Sequence, residues 1–296
     1  MIRRVGGWLL DGAAALVLLY LFLPIAVIVL YSFNRPAGRF NFVWKAFSLD
    51  AWRHPFAYEA LTDSMLLSLR VAAVATAVAT VLGTLIALAL TRYRFRGRGA
   101  VALLLVLPLT TPEVVLGSSL LSLFLYLDAP TGFTTIVIAH IMFSVSYVAL
   151  TVRARLRGFD WTLEEAAMDL GATPARVFLR ITLPLIAPGI AAAAMLAFAL
   201  SMDDFIITLF NAGSRVTYPL YVYGARRAAF PPQINVLATA ILLVSLLVLA
   251  ATVLWQQRSL RRLGLAGARD RHPERSEGPG RGISNSGGPG PSLRSG

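Results

Sequence analysis

The chain has 296 residues, of which 57% are hydrophobic and only 14% charged, and its mean hydropathy is +0.69. These values exclude an ordinary soluble domain, in which about a quarter of the residues are charged. The net charge of +12 comes from arginines at the ends of apolar runs and near the carboxyl end, and this arrangement does not suit nucleic acid. The composition therefore predicts an all-α, multi-pass membrane protein that contacts lipid and no nucleic acid.

Six apolar runs are long enough to cross a bilayer, which takes about 20 helical residues. They lie near residues 9–31, 64–90, 101–126, 133–152, 187–210 and 235–255. The first run continues to Tyr31 without a small-residue cleavage site, so we interpret it as a retained span and not as a signal peptide. We therefore expect an amino-terminal segment over 1–8 and a six-span domain over 9–256.

Lysine and arginine are unevenly distributed around these runs. If the amino terminus is cytoplasmic, the inner flanks carry fourteen of these residues and the outer flanks seven. Because positive residues accumulate on the cytoplasmic side, both termini are expected to lie inside. Residues 257–296 are rich in Gly, Pro, Ser and Arg, and they are expected to form a disordered cytoplasmic tail.

A polar stretch, EEAAMDLGATPARVFLRITLPL at 164–185, separates the fourth and fifth runs. Thr162 and Glu165 have the spacing of a capping box, and Gly171 can supply the left-handed residue that ends a short helix. Thr173 and Pro174 predict the start of a second helix, which is expected to stop before Pro184.

The first of these helices has the composition of a docking element. Its residues comprise one apolar face and a set of acids, namely Leu163, Ala166, Ala167 and Leu170 with Glu164, Glu165 and Asp169. The acids would suit a basic partner protein. The alternative is a helix that lies on the lipid headgroups, and the acids in its first turn count against it.

The same stretch carries a family resemblance. Its matching residues are Glu165, Ala166, Ala167, Gly171, Ile181, Leu183 and Pro184, which together resemble the EAA-G-I-LP signature of the permease subunits of bacterial ABC importers. The resemblance implies the MetI-like fold of type I importers and a coupling role for residues 162–184, Glu164 and Asp169 included. It places this segment in a groove of a separate ATP-binding subunit, where Glu165 faces basic groups and Gly171 permits the bend.

Five further stretches resemble spermidine/putrescine permeases of the PotC type. They are RYRFRG at 92–97, RLRGFD at 155–160, SMDDF at 201–205, PLYVYG at 219–224 and PPQINVLAT at 231–239. This resemblance implies a polyamine importer of the bacterial inner membrane. An importer for iron(III), thiamine or another small solute is the alternative within the same class.

The chain has a single lysine, Lys45, in the context VWKAF, so it cannot contain the Gly-rich loop and lysine of a Walker A motif. No Ser-His-Asp or metal-ligand spacing is evident, and cysteine is absent. We therefore expect no enzymatic centre, metal or cofactor in this chain, with ATP and Mg bound by a partner. The resemblance implies a second permease subunit in a heterodimer, two ATP-binding subunits, and a periplasmic or lipid-anchored substrate-binding protein.

Three acids lie within the predicted spans. Glu113 lies about 18 Å from the inner end of the third run, and Asp203 and Asp204 lie about 24 to 26 Å from that of the fifth. Acids at this depth are candidates for function, here as contacts along a cation pathway. The alternative to a functional role is a structural one, in which these acids form an ion pair with Arg70.

Asp203 and Asp204 would be about 100° apart on a helix, so the sequence predicts one pathway acid and one structural acid. A rival class uses these acids and Glu113 as the proton relay of an ATP-independent secondary transporter. A membrane enzyme has no constellation in its favour.

Pro108 and Pro112 flank Thr110 and Thr111 in the third run and predict a break there, either as a gate or as a packing kink satisfied by the threonine hydroxyls. The aromatic segment over 211–234 either receives a soluble binding protein or anchors the chain at the interface.

Overall fold

The computed structural model describes residues 2–262, with side chains described at 11–248, 250–252 and 254. Apart from turns and two isolated bridges, the regular structure in this range is helical. The helices are α1 (Ile2–Tyr31), α2 (Asp50–Arg53), α3 (Glu59–Arg92), α4 (Arg98–Thr110), α5 (Glu113–Tyr126), α6 (Phe133–Leu156), α7 (Thr162–Asp169), α8 (Pro174–Val177), α9 (Leu183–Asp203), α10 (Ile206–Asn211), α11 (Tyr218–Ala228) and α12 (Pro232–Arg262). A π-helical turn, Phe178–Thr182, joins α8 to α9. The all-α prediction is confirmed.

The chain divides into two compact units, residues 1–247 and residues 248–296. The first unit contains α1 to α11 and most of α12, and the second begins within α12, which is helical as far as Arg262. The prediction of a tail from residue 257 is therefore wrong for 257–262, and its remainder, 263–296, lies outside the described residues. Helix α1 begins at Ile2, so most of the predicted terminal segment 1–8 is helical as well.

Five helical segments of the described residues are long and apolar enough to cross a membrane. They are Asp11–Tyr31, Glu59–Arg92, Phe133–Leu156, Pro174–Asp203 and Pro232–Thr252. The predicted third span is instead the pair α4 and α5, which meet at an angle of 111°. The six predicted spans are all present if this bent pair counts as one.

The core of the first unit forms where α3, α6 and α9 pack against one another. Alanines and a glycine recur on the buried face of α3, at Ala72, Ala75, Ala79, Gly83 and Ala87. Small residues let two helix backbones approach closely, which is how membrane helices gain packing contacts. A Cβ at Gly83 would lie 2.7 Å from Val148 Cβ, so α3 and α6 are already in close contact there.

Helix α9 corrects two predictions. The second polar helix does not stop before Pro184, because α8, the π turn and α9 run on as a single 30-residue segment, Pro174–Asp203, through both Pro184 and Pro188. A proline crowds the carbonyl four residues earlier. The π turn interrupts that pattern just before Pro184, since the Leu183 amide donates to the Phe178 carbonyl five residues back. The other end of the segment falls at Asp203 and not at residue 210 as predicted.

Helix α1 packs little against the rest of the first unit. None of the apolar segment Asp11–Tyr31 is buried, and large side chains such as Leu19 and Tyr20 are exposed. In a membrane these side chains require lipid or another subunit as their environment.

Candidate functional site: the polar segment and the membrane acids

The amino end of α7 is capped by Asp160. The Asp160 Oδ1 atom accepts hydrogen bonds from the Thr162 amide at 3.1 Å and from the Thr162 hydroxyl at 2.7 Å. These hydrogen bonds lower the pKa of the Asp160 carboxyl. The predicted capping box of Thr162 and Glu165 is therefore wrong, because Thr162 is already the first helical residue and its hydroxyl points back to Asp160.

The carboxyl end of α7 closes as predicted. Gly171 has a φ of +85°, in the left-handed region that favours glycine. The Ala172 amide donates to the Ala167 carbonyl at 3.0 Å, and the Gly171 amide donates to the Met168 carbonyl at 2.9 Å. This pair of bonds is the Schellman motif, which ends the helix and turns the chain.

One side of α7 is left uncovered by the rest of the chain. Leu170 is 90% exposed, and Leu163 and Met168 are also exposed. The acids Glu165 and Asp169 and the small residue Ala166 are exposed as well, and Ala167 is half-buried. An apolar surface edged with acids is thus available for contact with another molecule.

Glu164 is different from its neighbour, because only 3% of its side chain is exposed. Its Oε2 atom lies 2.8 Å from Nη2 of Arg92, the last residue of α3. Its Oε1 atom accepts a hydrogen bond from the buried hydroxyl of Thr182. The prediction assigned this carboxylate to a basic partner, whereas the structure gives it two partners within the chain.

Two aromatic residues pack beside the ion pair of Arg92 and Glu164. The Arg92 guanidinium lies 5.8 Å from the centre of the Trp161 ring, and Trp161 packs against Phe159 at 4.7 Å between ring centres. Both aromatic side chains pack against the core formed by α3, α6 and α9. The other predicted signature residues lie nearby in sequence, with Ile181 in the π turn and Leu183 and Pro184 at the start of α9.

The second candidate site lies where α9 ends and α10 begins. Asp204 is extended, with a ψ of 123°, and its carboxylate accepts hydrogen bonds from the Thr208 amide at 2.8 Å and the Thr208 hydroxyl at 2.7 Å. An Asp in this position satisfies amides at the start of the following helix. Its side chain is only 6% exposed, so Asp204 is a buried structural acid.

His140 of α6 holds the same break from the other side. One ring nitrogen lies 2.7 Å from the Ser201 hydroxyl, and the other lies 2.9 Å from the Thr208 hydroxyl and 3.2 Å from Asp204 Oδ2. The sequence interpretation missed His140 because it weighed histidines only as metal ligands. Its position as an ionisable residue inside an apolar run was the available signal. The proposed pairing with Arg70 is wrong, since Asp204 pairs with His140.

Asp203 and Glu113 are both exposed on the chain. Asp203 ends α9 and Glu113 begins α5, so each stands beside a break in a membrane helix. The structure thus leaves Asp203 and Glu113 uncovered, whereas the side chain of Asp204 is buried.

Two threonine hydroxyls form local hydrogen bonds beside the break between α4 and α5. The Thr110 hydroxyl donates to the Leu107 carbonyl at 3.1 Å, and the Thr111 hydroxyl donates to the same carbonyl at 2.7 Å. Both hydroxyls bond to the Leu107 carbonyl, which already accepts the Thr111 amide, and not to the carbonyls of Leu104 and Pro108 that the prolines leave without an amide donor. The bend of 111° falls after Thr111, while Pro108 lies inside α4.

The aromatic segment over 211–234 is hydrogen-bonded through its backbone to the loop that follows α1. The Asn41 amide donates to the Phe230 carbonyl at 2.9 Å, and the Phe230 amide donates to the Arg39 carbonyl at 2.8 Å. The Tyr218 hydroxyl donates to the Ile234 carbonyl, and burial raises its pKa. Tyr218 therefore has an internal role, whereas Tyr223 is exposed.

Helices long enough to span a membrane, broken beside acids and joined by a capped polar helix, are features of membrane transport proteins. The chain belongs to the family described as the inner membrane component of binding-protein-dependent transport systems, which matches residues 79–264. Its interpretation as a permease subunit of an ABC importer, a transport component and not itself an enzyme, is confirmed.

Two curated relatives illustrate the family. The chain is 42% identical over 231 residues to the putrescine transport system permease protein PotI of Escherichia coli K12, covering 75% of this chain and 82% of the relative. It is 36% identical over 251 residues to the spermidine/putrescine transport system permease protein PotC of the same organism, covering 84% and 94%.

Solved structures share the fold at low identity. A bacterial ABC transporter involved in alginate import has a TM-score of 0.64 at 17% identity, covering 87% of this chain and 97% of that chain. An inward-facing MetNI methionine ABC transporter has a TM-score of 0.52 at 16% identity, covering 69% and 96%. The predicted MetI-like fold is confirmed.

Proposed function

We propose that this chain forms half of the translocation pathway of an ATP-driven polyamine importer in the bacterial inner membrane. Two relatives are named for putrescine and for spermidine/putrescine transport. The observation that carries the proposal for this chain is the pair of exposed acids, Asp203 and Glu113, each beside a helix break. Asp203 and Glu113 are the pathway acids, and Asp204 supports them.

Exposed carboxylates suit a cargo with several ammonium groups. A carboxylate can replace part of the water around an ammonium group, and charge-assisted hydrogen bonds are stronger than neutral ones. A cargo with spaced positive charges has one charge for each of the two acids. Discontinuous helices also typically form the cargo sites of transporters within the membrane.

The exposed side of α7 is the proposed seat of an ATP-binding subunit. Leu163, Met168 and Leu170 provide apolar area, and Glu165 and Asp169 provide charge for basic groups. Two such subunits bind ATP and Mg and drive this chain together with a second permease subunit, while a periplasmic or lipid-anchored protein delivers the cargo. The exposed α1 is available for contact with the second permease subunit or with lipid.

The test is reconstitution in liposomes with the second permease, the ATP-binding subunits and the binding protein. We expect putrescine or spermidine to stimulate ATP hydrolysis and to accumulate inside. Stimulation by thiamine or ferric iron instead would reassign the cargo, and uptake that needs a proton gradient but no ATP would contradict the proposed class.

Variants that disrupt the contact between α7 and the ATP-binding subunit provide a control for this test. Gly171→Pro cannot adopt a φ of +85°, and Glu165→Lys reverses the charge of an exposed acid, so both should abolish uptake while the protein still inserts. Normal uptake by both variants would contradict the docking role of α7.

A further inference from the structure

We propose that Arg92, Glu164 and Thr182 form an internal strut that makes α7 move together with α3 and α9. This inference rests on the proposed docking of an ATP-binding subunit on α7. It gives Glu164 the role of a positioning residue, which transmits movement of α7 and does not itself contact the ATP-binding subunit.

The strut joins three separate elements at one carboxylate. Glu164 belongs to α7, Arg92 is the last residue of α3, and Thr182 is the last residue of the π turn before α9. The two oxygens of Glu164 are divided between the other two residues, one on each. No other described ion pair links α7 to a membrane-spanning helix.

Burial of the Glu164 carboxylate makes the strut stiff, although the Arg92 side chain that it meets is 35% exposed. A buried carboxylate that loses its partner retains the cost of desolvation, so the pair resists separation more than an exposed pair does. Glu164 is 3% exposed and the Thr182 side chain is fully buried. The neighbouring Glu165 is exposed and forms no described ion pair. Glu164 therefore holds α7 in place, and Glu165 is available to a partner.

Packed helices connect the strut to Asp203 without a gap. Helix α3 packs along both α6 and α9, and α9 ends at Asp203. Without the strut, α7 keeps the turn that precedes it, the bend at Gly171 and its packing against α8 and the π turn. It loses its ion pair with α3, so a push on the exposed side of α7 would be transmitted less completely to α3 and α9.

Three variants distinguish a coupling role of the strut from a role in stability alone. Arg92→Gln and Glu164→Gln remove one charge each, and Arg92→Lys keeps the positive charge and a donor for the carboxylate. Arg94→Gln and Glu59→Gln are the matched controls, because both residues are exposed and neither forms a described ion pair. All are measured in the assembled complex for bound ATP-binding subunit, ATP hydrolysis without cargo, and cargo imported per ATP.

We expect Arg92→Gln and Glu164→Gln to keep the bound subunit and hydrolysis without cargo, while cargo imported per ATP falls about tenfold, a usual size for coupling between sites. Arg92→Lys and the controls should retain the normal ratio. A normal ratio in both Gln variants, or an equal fall in Arg92→Lys and Arg92→Gln, would overturn the strut.

A local measurement keeps this result distinct from failure of the proposed function. The chain lacks cysteine, so a single Leu170→Cys carries one spin label on the exposed side of α7. We expect the label to become more mobile in Arg92→Gln and Glu164→Gln and to stay unchanged in Arg94→Gln. Unchanged mobility in the two Gln variants overturns the strut even if polyamine transport is established. Increased mobility supports the strut as an internal link even if another cargo is found.

Discussion

Asp203 and Asp204 are adjacent in the chain but have opposite surroundings. The helix ends between them, so Asp204 turns inward to the amide of Thr208 and the ring of His140, while Asp203 stays exposed. The same division occurs at Glu164 and Glu165, where one acid is buried and its neighbour is free to meet a partner. In both places one acid of the pair is held inside the chain, and the other is exposed and available for the proposed contact.

Alanine substitutions distinguish the two aspartates. Asp204→Ala removes the cap of α10 and the partner of His140, and we expect it to lower the free energy of unfolding by about 1–3 kcal/mol. Asp203→Ala should leave the unfolding temperature unchanged and raise the KM for polyamine uptake about tenfold, because a charged hydrogen-bond partner is lost.

Thermal unfolding in detergent and uptake kinetics check this pair. Greater destabilisation by Asp203→Ala than by Asp204→Ala would contradict the assignment of roles.

The sequence predicted the division of roles at this pair but not its members. The prediction rested on angular separation within one helix, whereas the helix ends at Asp203 and the extended backbone of Asp204 turns the two side chains apart. The choice between them depends on His140, which is more than sixty positions away and reaches Asp204 only in the fold. Arg70 was the wrong candidate because depth alone does not place two side chains on facing surfaces.

At the scale of helices, the small-residue face of α3 sets the spacing of the core. Gly83 meets Val148 and the Ala149 amide so closely that an added Cβ would be 2.7 Å and 3.0 Å from them. Because backbone atoms cannot yield as a flexible side chain does, the contact between α3 and α6 would have to open.

Gly83→Ala should therefore destabilise the protein by about 1–3 kcal/mol. Gly99→Ala in α4 is the matched control, because no atom lies within 4 Å of its Cβ position and alanine is favoured over glycine in a helix by about 0.5–1 kcal/mol. Unfolding temperatures of the two variants in the same detergent measure the contrast. Equal temperatures would show that α3 and α6 have room to adjust.

The ends of helices were predicted correctly from the sequence where a single local residue determines them. Gly171 ended α7 as predicted, because a left-handed turn favours glycine wherever it occurs. Pro184 did not end its helix, because a π turn before it removed the conflict that the rule assumes. The bend after Thr111 was anticipated from the prolines, but its angle depends on packing of α5 against α10, which no local pattern specifies.

At the scale of the whole molecule, the distribution of arginine predicts which ends of the helices face the cytoplasm. That orientation places α7 and its strut inside the cell, where ATP is available, and the loop after α1 outside. The absence of cysteine allows single labels to test it without background.

We expect Gly38→Cys to react with a membrane-impermeant maleimide in spheroplasts, and Gly158→Cys to react only after lysis. Both positions are open, with no atom within 4 Å of the added Cβ, so the substitutions should not disturb the fold. The reverse labelling pattern would contradict the predicted orientation.

The unburied surface of α1 has a consequence for the choice of lipid. Tilting α3 or α6 to match a thinner bilayer would disrupt their shared core, whereas α1 can tilt with little loss of contacts inside its own chain. The tilt of this first helix is therefore less constrained by its own chain than the tilt of α3 or α6. A change from long to short acyl chains in vesicles should reorient α1 more than either of those helices.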